Sequence, residues 1–82
     1  MNETNTLLNL KVGESAKVRT LLTATSMRRR LQDIGLVEGT IIKCLQKSPF
    51  GEPVAYLIRG AVIALRSEET EKILIEHVTK DV

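Results

Sequence analysis

Apolar and polar residues alternate over most of the chain, and this pattern is typical of short, half-buried strands. Between Ser15 and Leu22, for example, Ala16 and Val18 alternate with the charged Lys17 and Arg19. Thr6 to Leu10 is predicted to be an apolar anchor. The alternation predicts five strands, at residues 15–22, 40–47, 54–58, 62–65 and 72–78.

One stretch follows a helical period instead. Met27, Leu31 and Ile34 are spaced so that they lie on one face of a helix. Ser26 is predicted to be its N-cap. Gly35 stands where a helix commonly ends in the left-handed conformation, and Leu36 is then expected to fold back onto the last turn.

Three arginines in a row, Arg28 to Arg30, fall in the first turn of this predicted helix. The positive end of the helix dipole disfavours cations there, by about 0.3–1 kcal/mol for each exposed charge. Three explanations stay open: solvated arginines, a buried structural Arg30, or an acidic partner that binds them. Departures from a local rule are expected most often at functional or strained positions.

Two short connections complete the predicted fold. Arg59-Gly60 is predicted to form a tight hairpin turn. Ser67 is predicted to cap a single helical turn that carries Glu68 and Glu69. The fold class is therefore mainly β: a small barrel of about five strands with one short α-helix and a helical turn. Closure of the sheet is expected to remove exposed edges. We expect a flexible N-terminus at residues 1–6, the barrel at 7–78 and a C-terminal tail at 79–82.

Composition narrows the classes of function. The net charge is only +2, with the basic residues concentrated in the N-terminal third. Phe50 and Tyr56 are the only aromatics, so neither a stacking platform for single-stranded nucleic acid nor an aromatic groove for Pro-rich peptides is expected. The single Cys44 favours a reducing compartment. The sequence carries no secretory signal pattern and no apolar run of 18 residues.

No residue set points to catalysis or to a bound metal. Cys44 and His77 lie on different predicted strands and form no ligand motif, so no metal site and no cofactor are expected. Cys44 is interpreted as a small buried hydrophobe and His77 as a surface residue. The acidic cluster Glu68, Glu69 and Glu71 is interpreted as solvated. Phe50, in the Pro- and Gly-rich loop at 48–53, is either an exposed anchor or a cap on the barrel.

The ordered motifs resemble the FeoA family, ferrous iron transport protein A. The resemblance rests on Met27-Arg-Arg-Arg-Leu31, Asp33-Ile-Gly-Leu36 and Gly39-Thr40, and then on Gly51-Glu-Pro53, Gly60 and Ile63-Ala-Leu-Arg66; it covers residues 7–78. It implies an SH3-like barrel in the bacterial cytoplasm that binds and regulates the membrane G-protein transporter FeoB, without enzymatic activity. The implied partner-binding residues are Arg28, Arg29, Arg30, Asp33 and Leu36.

Two other functions stay open. The same barrel resembles the C-terminal domain of iron-dependent repressors of the DtxR type, although the chain has no helix-turn-helix segment with which to bind an operator. A small-barrel nucleic-acid binder would place Arg28 to Arg30, Lys17 and Arg19 on phosphates, and its binding would weaken steeply with salt. We expect no nucleic-acid partner, membrane contact only through the transporter, and no tight intrinsic Fe²⁺ site. Self-association through the barrel edges stays open.

Overall fold

The computed structural model describes residues 5–77 and confirms a mainly β fold with one short helix and a helical turn. The elements are β1 (Asn5–Thr6), a 3-10 turn (Leu7–Asn9), β2 (Ser15–Leu21), α1 (Thr25–Asp33), β3 (Ile41–Lys47), β4 (Val54–Ile58), β5 (Ala61–Leu65), α2 (Ser67–Thr70) and β6 (Ile73–His77). The strands form one antiparallel sheet in the order β1-β6-β2-β3-β4-β5.

One strand was not predicted. Asn5 and Thr6, assigned from the sequence to the flexible N-terminus, pair with Ile75 and Leu74 of β6. Two residues are too few to show an alternating pattern, so nothing in the sequence marks them as a strand. Residues 1–4, Val78 and the predicted tail at 79–82 lie outside the described residues.

The core confirms the predicted apolar faces. Leu31 of α1 is fully buried, while Met27 and Ile34, on the same helical face, pack against the core and are partly buried. Leu7, which begins the 3-10 turn, and Leu10, which directly follows it, are also buried, as expected of an apolar anchor. The remaining core side chains come from the sheet, with one more from the turn after α1: Ala16, Val18, Leu21, Ile42, Cys44, Val54, Tyr56, Ile58, Leu65, Ile73 and Ile75 of the strands, and Leu36 of the turn.

The hairpin at Arg59-Gly60 forms as predicted. The backbone φ angles of Arg59 and Gly60 are 50° and 85°, and Ile58 pairs with Ala61 across a two-residue turn. Two positive φ angles in succession are the mark of a type I′ turn, whose twist matches that of the flanking strands. This turn fixes the register of β5 on β4.

The expectation that closure would remove exposed edges is wrong for β5. Among the described residues β5 pairs only with β4, and β1 is the strand at the other end of the order. The two-residue β1 is too short to cover a five-residue strand. Within residues 5–77, one long edge of the sheet therefore has no strand beside it.

Candidate docking surface

Helix α1 begins earlier than predicted, and this changes the setting of its arginines. The N-cap is Ala24, which makes no side-chain cap, and Ser26 is already the second helical residue, so its prediction as the N-cap is wrong. The arginines consequently occupy the fourth to sixth of nine helical residues. Because the helix dipole acts mainly within the terminal turns, the conflict expected for a first-turn arginine cluster is largely absent.

Two of the three arginines are used inside the protein. Arg28 donates a hydrogen bond of 2.6 Å from Nη2 to the backbone oxygen of Leu21, at the end of β2. Arg30 forms an ion pair with Glu69 of α2 through Nη1 and Oε2. These contacts hold α1 against the sheet on one side and against α2 on the other.

The prediction that the acidic cluster is solvated is wrong for Glu69. It was interpreted as part of a solvated acidic turn, but its side chain is only 8% exposed. Besides pairing with Arg30, its Oε1 accepts a hydrogen bond of 3.0 Å from the backbone N–H of Arg66. Arg66, not Ser67, is the N-cap residue of α2, so the predicted cap at Ser67 is also wrong. A carboxylate at the third helical position could have suggested this contact, because that position can reach back to the N-cap N–H.

Arg29 and Asp33 are the two predicted contact residues that face solvent without an internal role. Both are exposed, and neither makes a side-chain hydrogen bond or ion pair with any residue between 5 and 77. They are four residues apart on α1, which puts them on neighbouring positions of one helical face. A partner would therefore meet a cation and an anion side by side, together with the outer part of Arg30, whose side chain is 56% exposed.

Leu36 does not belong to this surface. It is fully buried in the core, and its side chain cannot contact a partner without unfolding of the turn. Its N–H donates to the oxygen of Leu31, and the N–H of Gly35 donates to the oxygen of Gln32. Together these bonds make the Schellman motif, which confirms the predicted helix end at Gly35. The role of Leu36 is to pack the end of α1 onto the core.

Arg59, predicted from the sequence only as a turn residue, lies across this helix end. A Cβ placed on Gly35 would be only 2.6 Å from Cδ of Arg59. The arginine of the β4–β5 turn therefore covers the backbone at the C-terminus of α1, where a cation interacts favourably with the helix dipole. Gly35 has φ +95°, a backbone angle that favours glycine, and an added Cβ would also force the Arg59 side chain to move.

The loop between β3 and β4 presents the most exposed aromatic side chain. Phe50 is 95% exposed, so of the two predicted alternatives the structure shows the exposed side chain and not the cap on the barrel. Two hydrogen bonds that involve side chains help to hold the loop. Ser48 Oγ donates to the backbone oxygen of Glu52 at 2.6 Å, and the Ser67 N–H donates to Glu52 Oε1 at 2.7 Å. The bond from Ser67 lowers the pKa of the Glu52 carboxyl below its usual value of 4.5.

The groups that could carry chemistry do not converge. Cys44 is fully buried, which confirms its interpretation as a small hydrophobe, and burial raises the pKa of its thiol. No cluster of three His, Cys, Asp or Glu side chains occurs within the described part of the chain. The side chain of His77 lies outside the described residues, so its surface position stays a prediction. Between residues 5 and 77, no helix has the length and hydropathy needed to cross a membrane.

Comparison with known proteins agrees with the geometry. The family model described as the FeoA domain matches residues 5–77. The chain is 29% identical over 75 residues to the "Fe(2+) transport protein A/Fe(2+) transporter FeoB fusion protein" of Porphyromonas gingivalis, covering 92% of this chain and 9% of that protein. The chain thus spans less than a tenth of the length of this curated relative.

Solved structures agree on the fold. The FeoA protein of Chlorobium tepidum superposes with a TM-score of 0.88 at 33% identity, over 95% of this chain and 74% of that one. The zinc complex of Stenotrophomonas maltophilia FeoA, described as a prokaryotic SH3 domain protein, has a TM-score of 0.77 at 30% identity, over 88% and 89% of the two chains. The predicted SH3-like class is confirmed.

A manganese-dependent transcriptional repressor also superposes, with a TM-score of 0.83 at 18% identity, over 95% of this chain and 44% of that one. At that level of identity the likeness concerns the fold alone, as expected if one barrel serves several functions. The family model covers all of the described residues, so this chain belongs to the FeoA domain family, which is linked to ferrous iron transport.

Proposed function

We propose that this chain is a non-enzymatic, cytoplasmic docking module that binds and regulates a FeoB-type membrane G-protein transporter. Its contact surface is the exposed face of α1 at Arg29 and Asp33, with the outer parts of Arg28 and Arg30. The observation that carries the proposal is Arg29, an exposed cation with no partner among the described residues, in the middle of a helix whose other arginines are used internally.

The choice of partner draws support from the fusion protein of Porphyromonas gingivalis, in which a FeoA-like and a FeoB segment share one chain. Covalent linkage keeps two domains at high effective concentration, so a weak docking contact between them is sufficient for function. A charged, solvent-exposed surface fits such a contact, because charges at an interface set specificity and association rate more than affinity. Iron is the cargo of the transporter in this proposal and is not held by this chain.

The internal contacts of the three arginines determine which one can be replaced to test this surface. Replacing Arg28 or Arg30 would remove internal contacts as well as surface charge, so a loss of binding would be ambiguous. Arg29→Glu reverses a charge without removing a described contact. Arg19→Glu, at an exposed position on β2, is a matched control with the same charge change outside α1.

The experiment measures binding of the purified chain to the detergent-solubilised FeoB-type transporter of the same organism, by biolayer interferometry at two salt concentrations. Loss of an interface charge facing an opposite charge commonly weakens binding by about 1–3 kcal/mol, so R29E is expected to bind at least about fivefold more weakly. R19E is expected to bind like the wild type. The GTP hydrolysis rate of the transporter with and without the chain reports regulation. Equal binding by R29E and the wild type would refute the assigned surface, and absence of wild-type binding would refute the partner.

A further inference from the structure

Three aliphatic side chains form a contiguous group on the solvent face of the sheet. Ile41 of β3, Leu57 of β4 and Val62 of β5 are 48%, 36% and 66% exposed. Leu57 and Val62 are direct cross-strand partners. Ile41 is a diagonal neighbour of Leu57, because the direct partner of Leu57 on β3 is Lys43, two residues further along. Single exposed apolar residues are normal on a protein surface, whereas contiguous apolar patches are typical of interaction sites.

Two lysines are set among these side chains. Lys43 lies directly opposite Leu57, and Lys17 of β2 lies directly opposite Ile41. Both lysines are exposed, and neither forms an ion pair with any residue that the structure describes. We call these five residues (Lys17, Ile41, Lys43, Leu57 and Val62) the sheet patch. It combines an aliphatic surface with two positive charges that are available to a ligand.

The charges around the sheet patch leave it positive. Glu76, opposite Lys17, is the only carboxylate in the described strands. Arg19, an exposed cation two residues along β2 from Lys17, offsets it. Two carboxylates in neighbouring turns have other surroundings: Glu14 accepts a hydrogen bond from a backbone N–H of its own turn, and Glu38 borders a pocket against α1. An anionic ligand therefore fits this face better than a cationic one.

The composition of the sheet patch favours a lipid surface over a protein partner. The buried centres of protein–protein interfaces are enriched in aromatic residues, Met and Arg and depleted in Lys. The sheet patch has no aromatic residue, and both of its charges are lysines. Aliphatic side chains beside lysines are typical of surfaces that lie in the headgroup region of a bilayer. There the lysine stems cover apolar groups while the ammonium groups reach the phosphates.

We infer that the sheet patch is a peripheral membrane-binding surface: its aliphatic side chains enter the headgroup region of a bilayer, and its lysines contact the phosphates of anionic lipids. This inference goes beyond the transporter proposal, because it concerns the strands and not α1. It also departs from the sequence-based expectation that this chain meets a membrane only through the transporter. Binding is expected to be weak and reversible, because a few partly exposed side chains bury little apolar area.

The first experiment measures co-sedimentation of the purified full chain with phospholipid vesicles. Vesicles of phosphatidylcholine and phosphatidylglycerol in equal parts are compared with vesicles of phosphatidylcholine alone. Each lysine or arginine near an anionic surface strengthens binding by about fivefold, so the wild type is expected to bind the anionic vesicles at least about tenfold more tightly at low salt. Raising the salt concentration should reduce this difference. Equal binding to both kinds of vesicle, or binding to neither, would overturn the inference.

Two charge reversals locate the surface. Lys43→Glu is expected to weaken binding to the anionic vesicles by at least about tenfold, because it replaces an attraction with a repulsion inside the sheet patch. Lys72→Glu makes the same change in net charge at an exposed position that borders α1 and α2. It is expected to bind within about twofold of the wild type, because salt screens charges that lie away from the lipid. Far-UV circular dichroism checks that both variants fold. Equal effects of the two reversals would mean that net charge alone drives binding, and would overturn the assigned surface.

The chain contains no tryptophan, so an introduced one reports contact with lipid directly. Val62→Trp places this fluorophore in the sheet patch, and Leu22→Trp places it at another exposed apolar position, between β2 and α1. With anionic vesicles that contain brominated lipid, the emission of V62W is expected to shift to the blue and to be quenched, and that of L22W to stay unchanged. Quenching of both variants equally, of L22W alone or of neither would overturn the inference. The transporter is absent from these measurements, so the inference and the transporter proposal can fail separately.

Discussion

The contact between Gly35 and Arg59 makes a quantitative prediction. Gly35→Ala adds a Cβ at φ +95° and also within 2.6 Å of Arg59 Cδ. Gly39→Ala is the matched control, because Gly39 has φ +91° and nothing lies within 4 Å of its added Cβ. The left-handed backbone costs an L-residue about 1–2 kcal/mol, and this applies to both variants. Only G35A also has to displace the arginine side chain.

Overpacking of a well-filled site costs about 1–3 kcal/mol, and the lower end applies here because Arg59 is exposed and can move. We therefore expect G39A to lower the free energy of unfolding by about 1–2 kcal/mol and G35A by about 2–4 kcal/mol. In the Arg59→Ala background the three nearest contacts of the added Cβ, all of them with Arg59, are removed. G35A should then cost about as much as G39A, with a favourable coupling of about 1–2 kcal/mol in the double-mutant cycle.

Urea unfolding followed by far-UV circular dichroism measures the free energy of unfolding of the wild type, of the three single variants and of the double variant, provided that their m-values agree. R59A alone is expected to change stability by about 0.5 kcal/mol or less, as surface substitutions usually do. If G35A lowers the free energy of unfolding no more than G39A does, or if the effects of G35A and R59A on it are additive, then Arg59 does not occupy the space above Gly35.

Four further predictions follow from burial and hydrogen bonding. Leu36→Ala, at a fully buried site, should lower the free energy of unfolding by about 2–5 kcal/mol in urea titrations while the folded fraction still binds the transporter. Phe50→Ala, at a 95% exposed site, should leave the unfolding midpoint within about 0.5 kcal/mol of the wild type. Burial raises the pKa of Tyr56, so the phenolate absorbance at 295 nm should stay absent as the pH passes 10 and appear only when the protein unfolds. The free energy of unfolding should fall as the pH rises above the pKa of tyrosine in the unfolded state. Ionisation of Tyr56 near pH 10 in the folded protein would contradict its burial. The hydrogen bond from the Ser67 N–H lowers the pKa of Glu52, so it stabilises the fold above pH 4.5 and this stabilisation is lost as the pH falls below that value. On acidification the free energy of unfolding of Glu52→Gln should therefore fall less than that of the wild type. An equal fall would count against the Glu52–Ser67 bond.

The parts of the fold that were predictable are those with a local signal. The helix end at Gly35 needs a left-handed residue and an apolar residue directly after it, and the sequence supplies both. The hairpin at Arg59-Gly60 likewise follows from two neighbouring strands and a two-residue gap. The start of α1 was missed because Ala24 caps it without any side-chain bond, so the usual N-cap residues gave a false signal at Ser26.

The candidate site was predictable only in part, because its key contacts are far apart in sequence. Arg30 and Glu69 are 39 residues apart, and nothing local shows that one neutralises the other. The same holds for Leu36, which was proposed as a contact residue although it fills the core. A list of charged residues therefore pointed to α1, but only the tertiary contacts separate Arg29 and Asp33 from the arginines that hold the fold together.

The pairing of β1 with β6 has a practical consequence for anything attached to this domain. Asn5 lies opposite Ile75 in an antiparallel ladder, so the first and last described residues leave the sheet on adjacent strands and toward the same end. A fluorophore or a surface tether attached before Asn5 or after His77 would therefore extend from the same end of the β1–β6 ladder, and either attachment point would present the domain in the same orientation.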